Sequence, residues 1–204
     1  MHLWPVIRSS GTSFWKESPM VTALNLPPVD PPDPDIAAYF AKCTEKLGLI
    51  PNVLRAYAFD QDKLRAFMAM YNDLMLAPSG LSKAEREMIA VAVSAQNACV
   101  YCLTAHGAAL RQLTGDPALA ETIAQNWRVA DVSSRQHAML GFAVKLTNLP
   151  ADMCEADRAS LRAEGFTDRD IWDIAAVAAF YNMSNRMAAA VEMVPNPAYH
   201  AMAR

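Results

Sequence analysis

The segment SAQNACVYCLTAHGAAL, residues 94–110, carries two thiols and an imidazole at a spacing that could support redox chemistry. Residues three, four and seven apart lie on one face of a helix, so Cys99, Cys102 and His106 form a single stripe. Cysteines at positions i and i+3 of a helix have Cα atoms about 5 Å apart, which a disulfide accepts. The spacing therefore predicts a dithiol that can close to a disulfide beside an imidazole.

A carboxylate can reach the same place if the chain turns back on itself. Asn97-Ala98 is the expected break between two helices, and a hairpin there brings Glu87 level with His106 in one apolar crevice. A carboxylate and an imidazole beside a thiol form a proton relay that can activate a nucleophile. A zinc site stays open as an alternative, because the two thiols and His106 are three possible ligands and Glu87 would be the fourth.

The composition predicts an all-α fold. The 204 residues are 53% hydrophobic, with 12 methionines and only 7 glycines, a balance that favours packed helices over sheets. Prolines and glycines separate amphipathic stretches that predict helices at 35–47, 52–58, 61–77, 82–96, 99–114, 116–127, 134–147, 155–164 and 168–192. We therefore expect a helical domain over 35–204, preceded by an extension over 1–34 that includes a proline-rich arm, LPPVDPPDPD. Two further cysteines, Cys43 and Cys154, stand alone in amphipathic stretches and are interpreted as structural.

The sequence also contains a weak internal repeat. An offset of 85 residues aligns 82–110 with 167–192, and both segments open on a capping-box pattern, at Ser82 and at Thr167. The repeat predicts two related helix pairs packed against each other. Because Cys99 aligns with Ser184 in the second copy, only the first copy is expected to carry the chemistry.

Charge and hydropathy exclude several classes of function. The net charge is −3 and basic residues are scattered among acids, which argues against nucleic acid as a partner. Residues 88–110 are uncharged and long enough to span a bilayer, but polar side chains lie through the middle, which favours a buried helix pair over a membrane span. The first 20 residues lack the pattern of a secretory signal, so we expect a cytoplasmic protein with reduced thiols.

At the motif just described, the chain resembles the AhpD-like alkylhydroperoxidases of the carboxymuconolactone decarboxylase superfamily, especially their peroxidase-related branch. The family pattern is a glutamate, eleven residues, then C-x-x-C-x-x-x-H, and residues 87–106 match it without a gap. The flanking segments LGLIPNVLRAYA (47–58) and AMLGFAVKLT (138–147) are also similar, and the resemblance extends over about 22–198. It implies an AhpD-like helical bundle with an internally duplicated helix pair, and a hydroperoxidase that needs neither metal nor cofactor.

The resemblance also implies roles for the residues that match the family motif. Cys102 would attack the peroxide, Cys99 would resolve the resulting sulfenate, Glu87 would act as base, and His106 would complete the relay. Tyr101 stands where the best-known members have a histidine, and either relays a proton or closes the pocket. The implied partners are a hydroperoxide, an external dithiol or redox protein, and further copies of the chain in a trimer or hexamer.

Two other classes of function remain open. The thiol pair could act as a non-catalytic redox sensor or a metal-binding element of an oligomeric scaffold. A lyase related to the lactone decarboxylases is the other, although paired thiols are not needed for protonation chemistry on a lactone.

Overall fold

The computed structural model describes residues 14–15 and 20–204. Nine α-helices and no strand occur in this part of the chain, which confirms the all-α prediction. The helices are α1 Pro34–Leu47, α2 Asn52–Tyr57, α3 Gln61–Tyr71, α4 Lys83–Gln96, α5 Val100–Thr114, α6 Pro117–Asn126, α7 Ser134–Asn148, α8 Glu155–Ala163 and α9 Asp168–Ala190. None of the described helices is long and apolar enough to cross a membrane.

Helix α4 is the centre of the bundle. It is buried from Glu85 to Ser94 and packs against α5, α6, α7 and α9. The apolar residues along its middle, from Met88 to Val93, are all nearly inaccessible to solvent. Ser94 and Glu87 are buried with them, so the central helix carries polar side chains inside the core.

Local sequence signals set where α4 and α9 begin. The Ser82 hydroxyl accepts from the Glu85 N–H at 3.2 Å, and the Glu85 carboxylate accepts from the Ser82 N–H at 2.8 Å. Thr167 and Asp170 form the same reciprocal pair at the start of α9. Both predicted capping boxes are therefore confirmed, 85 residues apart.

The two aligned segments end differently. Helix α4 stops where Ala98 adopts the left-handed conformation, with φ of 50°. The N–H groups of Ala98 and Cys99 bond back to the carbonyls of Ala95 and Ser94, at 3.2 and 3.0 Å, which is a Schellman motif. Helix α5 then starts at Val100.

The repeat predicts a helix pair over 167–192, and that detail is wrong, whereas the single amphipathic stretch at 168–192 is confirmed as one helix. Helix α9 runs without a break for 23 residues, through the positions that align with the α4–α5 turn. It ends in its own Schellman motif at Glu192, where φ is 51°. No residue at 182–184 adopts the left-handed conformation that would end the helix. The backbone hydrogen bonds between residues four apart therefore continue through this part of α9.

The proline-rich arm is extended up to Asp33, as its prolines predict, and lies along its own chain, whereas its last residues, Pro34 and Asp35, begin α1. The Ala23 N–H donates to the Val191 carbonyl at 2.8 Å, just after α9. The Val29 N–H donates to the Ala58 carbonyl at 2.9 Å, at the end of α2. Most of residues 1–19, which begin the predicted extension, lie outside the described residues.

Candidate functional site

The two cysteines of the motif face each other across the first turn of α5. Cys99 is the N-cap residue of α5, and its sulfur accepts the backbone N–H of Cys102 at 3.5 Å. Cys99 is 4% exposed and Cys102 is 1% exposed, and both are free thiols. The Schellman turn at Ala98 thus delivers Cys99 directly to the positive end of the next helix.

The pair is electrostatically asymmetric. The pKa of Cys99 is lowered to about 6, first because the Cys102 thiol donates a hydrogen bond to it and also because the Cys102 backbone N–H does so, against the opposing effect of burial. Positive charge on His106 lowers the pKa further. The pKa of Cys102 is raised, because its proton is held by Cys99 and because it is buried. One negative charge therefore belongs to the pair and rests on Cys99.

The α4–α5 hairpin brings Glu87 and His106 together, as the spacing predicts. The Glu87 Oε2 atom lies 2.7 Å from His106 Nδ1, and both side chains are largely buried. A carboxylate only accepts hydrogen bonds, so we assign the proton to Nδ1. That assignment leaves Nε2 of His106 as the nitrogen available to a substrate.

Tyr101 has a different environment from the relay. Its hydroxyl accepts the Val53 N–H at 2.9 Å, which fixes the start of α2 against α5. Burial raises the pKa of Tyr101 well above its usual range. In the described part of the chain its hydroxyl makes no hydrogen bond to Glu87, His106 or either thiol. Its position is that of a wall residue, next to Cys102 in the chain.

A cavity of about 650 Å³ opens above Cys102 and His106. Seven aromatic side chains, from α1, α3, α5, α9 and the segment after α9, form much of its wall. Cys102 lines this cavity, whereas Cys99 is not among the described residues that do. Cys43, interpreted above as structural, lines the same cavity, and Cys154 is the exposed N-cap of α8. Of the two cysteines in the motif, Cys102 is therefore the one that a substrate in the cavity can contact.

Helix α9 contributes polar groups that sequence reasoning missed. The Tyr181 hydroxyl lies 3.3 Å from His106 Nδ1, and the two rings meet edge to face with centroids 4.6 Å apart. The Asn185 amide donates to the Ser94 hydroxyl at 3.0 Å, and its side chain lowers the pKa of both thiols. Ser184 lowers the pKa of Cys102 as well. The alignment of Cys99 with Ser184 is the one signal that pointed to this face of α9.

The zinc alternative needs a converging ligand set. Within residues 14–15 and 20–204, no group of three or more histidine, cysteine, aspartate or glutamate side chains is arranged to hold a metal ion. Glu87 is instead engaged with His106 Nδ1, as described above.

Comparison with known proteins shows which family the chain resembles. Residues 61–147 match the Carboxymuconolactone decarboxylase family. A solved structure of an uncharacterized peroxidase-related protein from Silicibacter sp. TM1040 is 57% identical, with a TM-score of 0.89, and the match covers 92% of this chain and 98% of that one. Among curated proteins, none matches the chain.

Two other solved structures extend the comparison. An uncharacterized peroxidase-related protein from Ralstonia eutropha JMP134, described as an alkylhydroperoxidase AhpD core, is 42% identical with a TM-score of 0.85, covering 90% of this chain and 97% of that one. The debrominase Bmp8 is 19% identical with a TM-score of 0.73, covering 88% of this chain and 96% of that one, and shares the fold. The chain belongs to the AhpD-like group of the carboxymuconolactone decarboxylase superfamily.

Proposed function

We propose that the protein is a thiol-dependent hydroperoxidase that reduces an alkyl hydroperoxide through Cys99 and Cys102, with Glu87 and His106 as proton relay. The observation that carries the proposal is that Cys102 of a charged dithiol and a carboxylate-bound imidazole, His106, line the same cavity. Membership of the AhpD-like group agrees with it. A cytoplasmic location is part of the proposal, because thiols that must start reduced suit a reducing compartment.

Cys102 is the attacking thiol in this mechanism. It lines the cavity and lies one helical turn from His106, whereas Cys99 is not among the described residues that line the cavity. The resting charge is on Cys99, so the proton of Cys102 must first pass to Cys99 along the hydrogen bond that joins the two sulfurs. That transfer places the thiolate at the substrate.

The first chemical step breaks the O–O bond. The Cys102 thiolate attacks the terminal oxygen of the hydroperoxide, an S–O bond forms, and an alkoxide leaves. The imidazolium of His106, held by Glu87, donates its Nε2 proton to the alkoxide, which departs as an alcohol. Cys102 is then a sulfenic acid, and the peroxide has taken two electrons.

The second step regenerates water and closes the disulfide. The Cys99 thiol attacks the Cys102 sulfur, its proton combines with the departing hydroxide, and one water is released. An external dithiol then reduces the disulfide by exchange, becoming a disulfide itself. Tyr101 is proposed to hold the cavity wall rather than carry the proton, since its hydroxyl is engaged with Val53.

Intact-mass analysis of the reduced protein tests the proposal. One equivalent of cumene hydroperoxide should remove two hydrogens per chain and release one equivalent of alcohol, and the Cys102→Ser variant should do neither. A disulfide that forms with a general thiol oxidant but not with the hydroperoxide would support the redox scaffold instead. Bound zinc, measured on the same sample and released by oxidation, would support the metal alternative.

We also propose that the chain assembles into a homo-oligomer, a trimer or hexamer. The support is an apolar stripe along α9, formed by the exposed side chains of Trp172, Ala179, Met183, Met187 and Ala190 at helical spacing. Trp172 is 72% exposed, which is unusual for the largest apolar side chain. Light scattering at micromolar concentration should give a mass above 22.3 kDa, and Trp172→Glu should lower it.

A further inference from the structure

Three exposed lysines line the cavity that leads to Cys102. Lys42 and Lys46 lie one turn apart on α1, and Lys83 is the first residue of α4. All three are exposed, whereas Cys102 is buried, so the lysines form a rim and the thiol lies at the floor. We call these three residues the lysine rim.

The lysine rim has no carboxylate partners in the described structure. The other two described lysines are both paired, Lys63 with Asp60 and Lys145 with Asp157. No aspartate or glutamate is among the described residues that line the cavity. In a protein with a net charge of −3, the one place where described lysines stand unpaired is the cavity mouth.

Local helix physics favours Lys46, a cation in the last turn of α1, but it does not account for Lys42 or Lys83. Like charges at i and i+4, as at Lys42 and Lys46, destabilise a helix slightly. A cation in the first turn, as at Lys83, is opposed by the positive end of the helix dipole. Residues that break local rules at a cavity mouth are expected to serve a ligand. A cationic mouth concentrates and orients anions.

The cavity is also far larger than hydrogen peroxide requires. A water molecule occupies about 30 Å³ of liquid, and hydrogen peroxide is little larger. About 650 Å³ is instead in the range of pockets that enclose organic ligands of some hundreds of daltons. The aromatic side chains that line the cavity between the lysine rim and Cys102 suit the apolar part of such a ligand.

We propose that the substrate is an amphipathic hydroperoxide of the fatty-acid type, whose carboxylate binds the lysine rim while its apolar body crosses the aromatic wall and its peroxide reaches Cys102. This inference rests on the proposed hydroperoxidase function. The reaction is the one written above, with the carboxylate unchanged, so the rim supplies binding and orientation and takes no part in the redox step.

Kinetics with matched substrates test the inference. The hydroperoxide of linoleic acid and its methyl ester differ in one negative charge, and we expect kcat/KM for the acid to exceed that for the ester at least tenfold. Replacing Lys42, Lys46 and Lys83 together by glutamine should reduce that ratio about tenfold, mainly through KM, and raised salt should do the same in the wild type. Lys63→Gln, at an ion-paired lysine, is the matched control and should leave the ratio unchanged.

Equal kcat/KM for acid and ester, with no effect of the triple substitution, would overturn the inference and leave the hydroperoxidase proposal standing. A binding measurement distinguishes failure of the proposed reaction from failure of the carboxylate site. Calorimetric titration with decanoate, which carries no peroxide, should show one site per chain whose Kd rises about tenfold in the triple variant. If no hydroperoxide is consumed but decanoate binds in this way, the proposed reaction fails and the carboxylate site is retained; if decanoate binds the triple variant equally well, the site is rejected.

Discussion

The two halves of the 85-residue repeat start alike and then diverge at one turn. Helices α4 and α9 open on the same capping box, and the side chains of Asn97 and Asn182, which align, are joined by a hydrogen bond of 3.0 Å. In the first half the chain turns at Ala98 and a new helix begins; in the second half the helix continues until Glu192. One left-handed residue separates the segment that carries the two-cysteine motif from a segment that is a single helix.

That difference explains how the site is built. Ending α4 at Asn97 exposes the N-terminal N–H groups of α5, and Cys99 becomes the residue that caps them. Because α9 does not end there, its side chains at the aligned position, Ser184 and Asn185, stay on a continuous face that lies against the thiols. In the proposed mechanism the first copy therefore supplies the nucleophiles and the relay, and the second copy supplies the polar wall.

The largest expected effect comes from exchanging the thiols one at a time. Cys102→Ser should abolish hydroperoxide reduction, because it removes the sulfur that lines the cavity. Cys99→Ser should still allow one turnover and leave Cys102 as a sulfenic acid that a dimedone probe traps. Stopped-flow consumption of cumene hydroperoxide and mass analysis of the probe adduct measure both outcomes.

The matched control for these variants is Cys154→Ser, since Cys154 is also an N-cap cysteine but is exposed on α8, far from the motif in the chain. It should react like the wild type. If Cys102→Ser traps the sulfenic acid and Cys99→Ser is inert, the thiol with the lowered pKa attacks, and cavity exposure is the wrong criterion.

The relay is expected to contribute less than the thiols. Glu87→Gln keeps the size of the side chain but removes the charge that holds the His106 imidazolium, so the rate of the first turnover should fall about 10²-fold. The rate is expected to fall because the variant loses the charged partner that lies 2.7 Å from His106 Nδ1, at Glu87 Oε2. Thermal unfolding of the variant measures whether the fold is retained, and a rate within a factor of three of the wild type would remove Glu87 from the mechanism.

A smaller, graded effect is expected from pH. The pKa of Cys99 is lowered to about 6 by the hydrogen bonds from Cys102, so the pair carries its charge above that pH and loses it below. The rate of reaction of the reduced protein with hydroperoxide should therefore be level near pH 8 and fall about tenfold per unit below pH 6. Thiolate absorbance at 240 nm should follow the same curve in the wild type and lose this transition in Cys99→Ser. A midpoint near 8.5, the ordinary value for a thiol, would show that the N-cap position has no such influence.

Much of the fold follows from local signals, and the exceptions are informative. Prolines, glycines and caps such as Ser82 and Thr167 act within a few residues, so helix positions were predictable from the sequence. Glu87 and His106 were also predictable as neighbours, because a hairpin fixes their register. Tyr181 and Asn185 were not, since they reach the site only through the packing of α9 against α4 and α5, which involves residues more than 70 positions apart.

The stretch at 168–192 predicted one helix, but the repeat predicted a turn within it, and that prediction failed for a related reason. The repeat aligns Ala98 with Met183, and neither residue is glycine, which is the usual sequence signal for the end of a helix. Asn182 bonds the Ala178 carbonyl in its own helix and the Thr147 hydroxyl of α7, both at 3.0 Å, whereas Asn97 bonds Asn182 and Asn185 across the bundle. Tertiary partners, and not local propensity, therefore distinguish the turn at Ala98 from the aligned, unbroken part of α9.

The smallest expected effect tests that comparison directly with one substitution at two aligned and exposed positions. Ala98→Gly should stabilise the protein by about 0.5–1 kcal/mol, because alanine pays for its left-handed conformation and glycine does not. Met183→Gly should destabilise it by about 1 kcal/mol relative to Met183→Ala, because glycine is unfavourable inside a helix. Urea unfolding at fixed protein concentration measures both differences, and the alanine reference cancels the loss of the methionine side chain from the apolar stripe.

Glu192→Gly, at the end of α9, is the control and should also raise the free energy of unfolding, as Ala98→Gly does. If Ala98→Gly and Met183→Gly shift stability in the same direction, the two segments do not differ in the backbone as described, and the origin of the Cys99 cap needs another explanation.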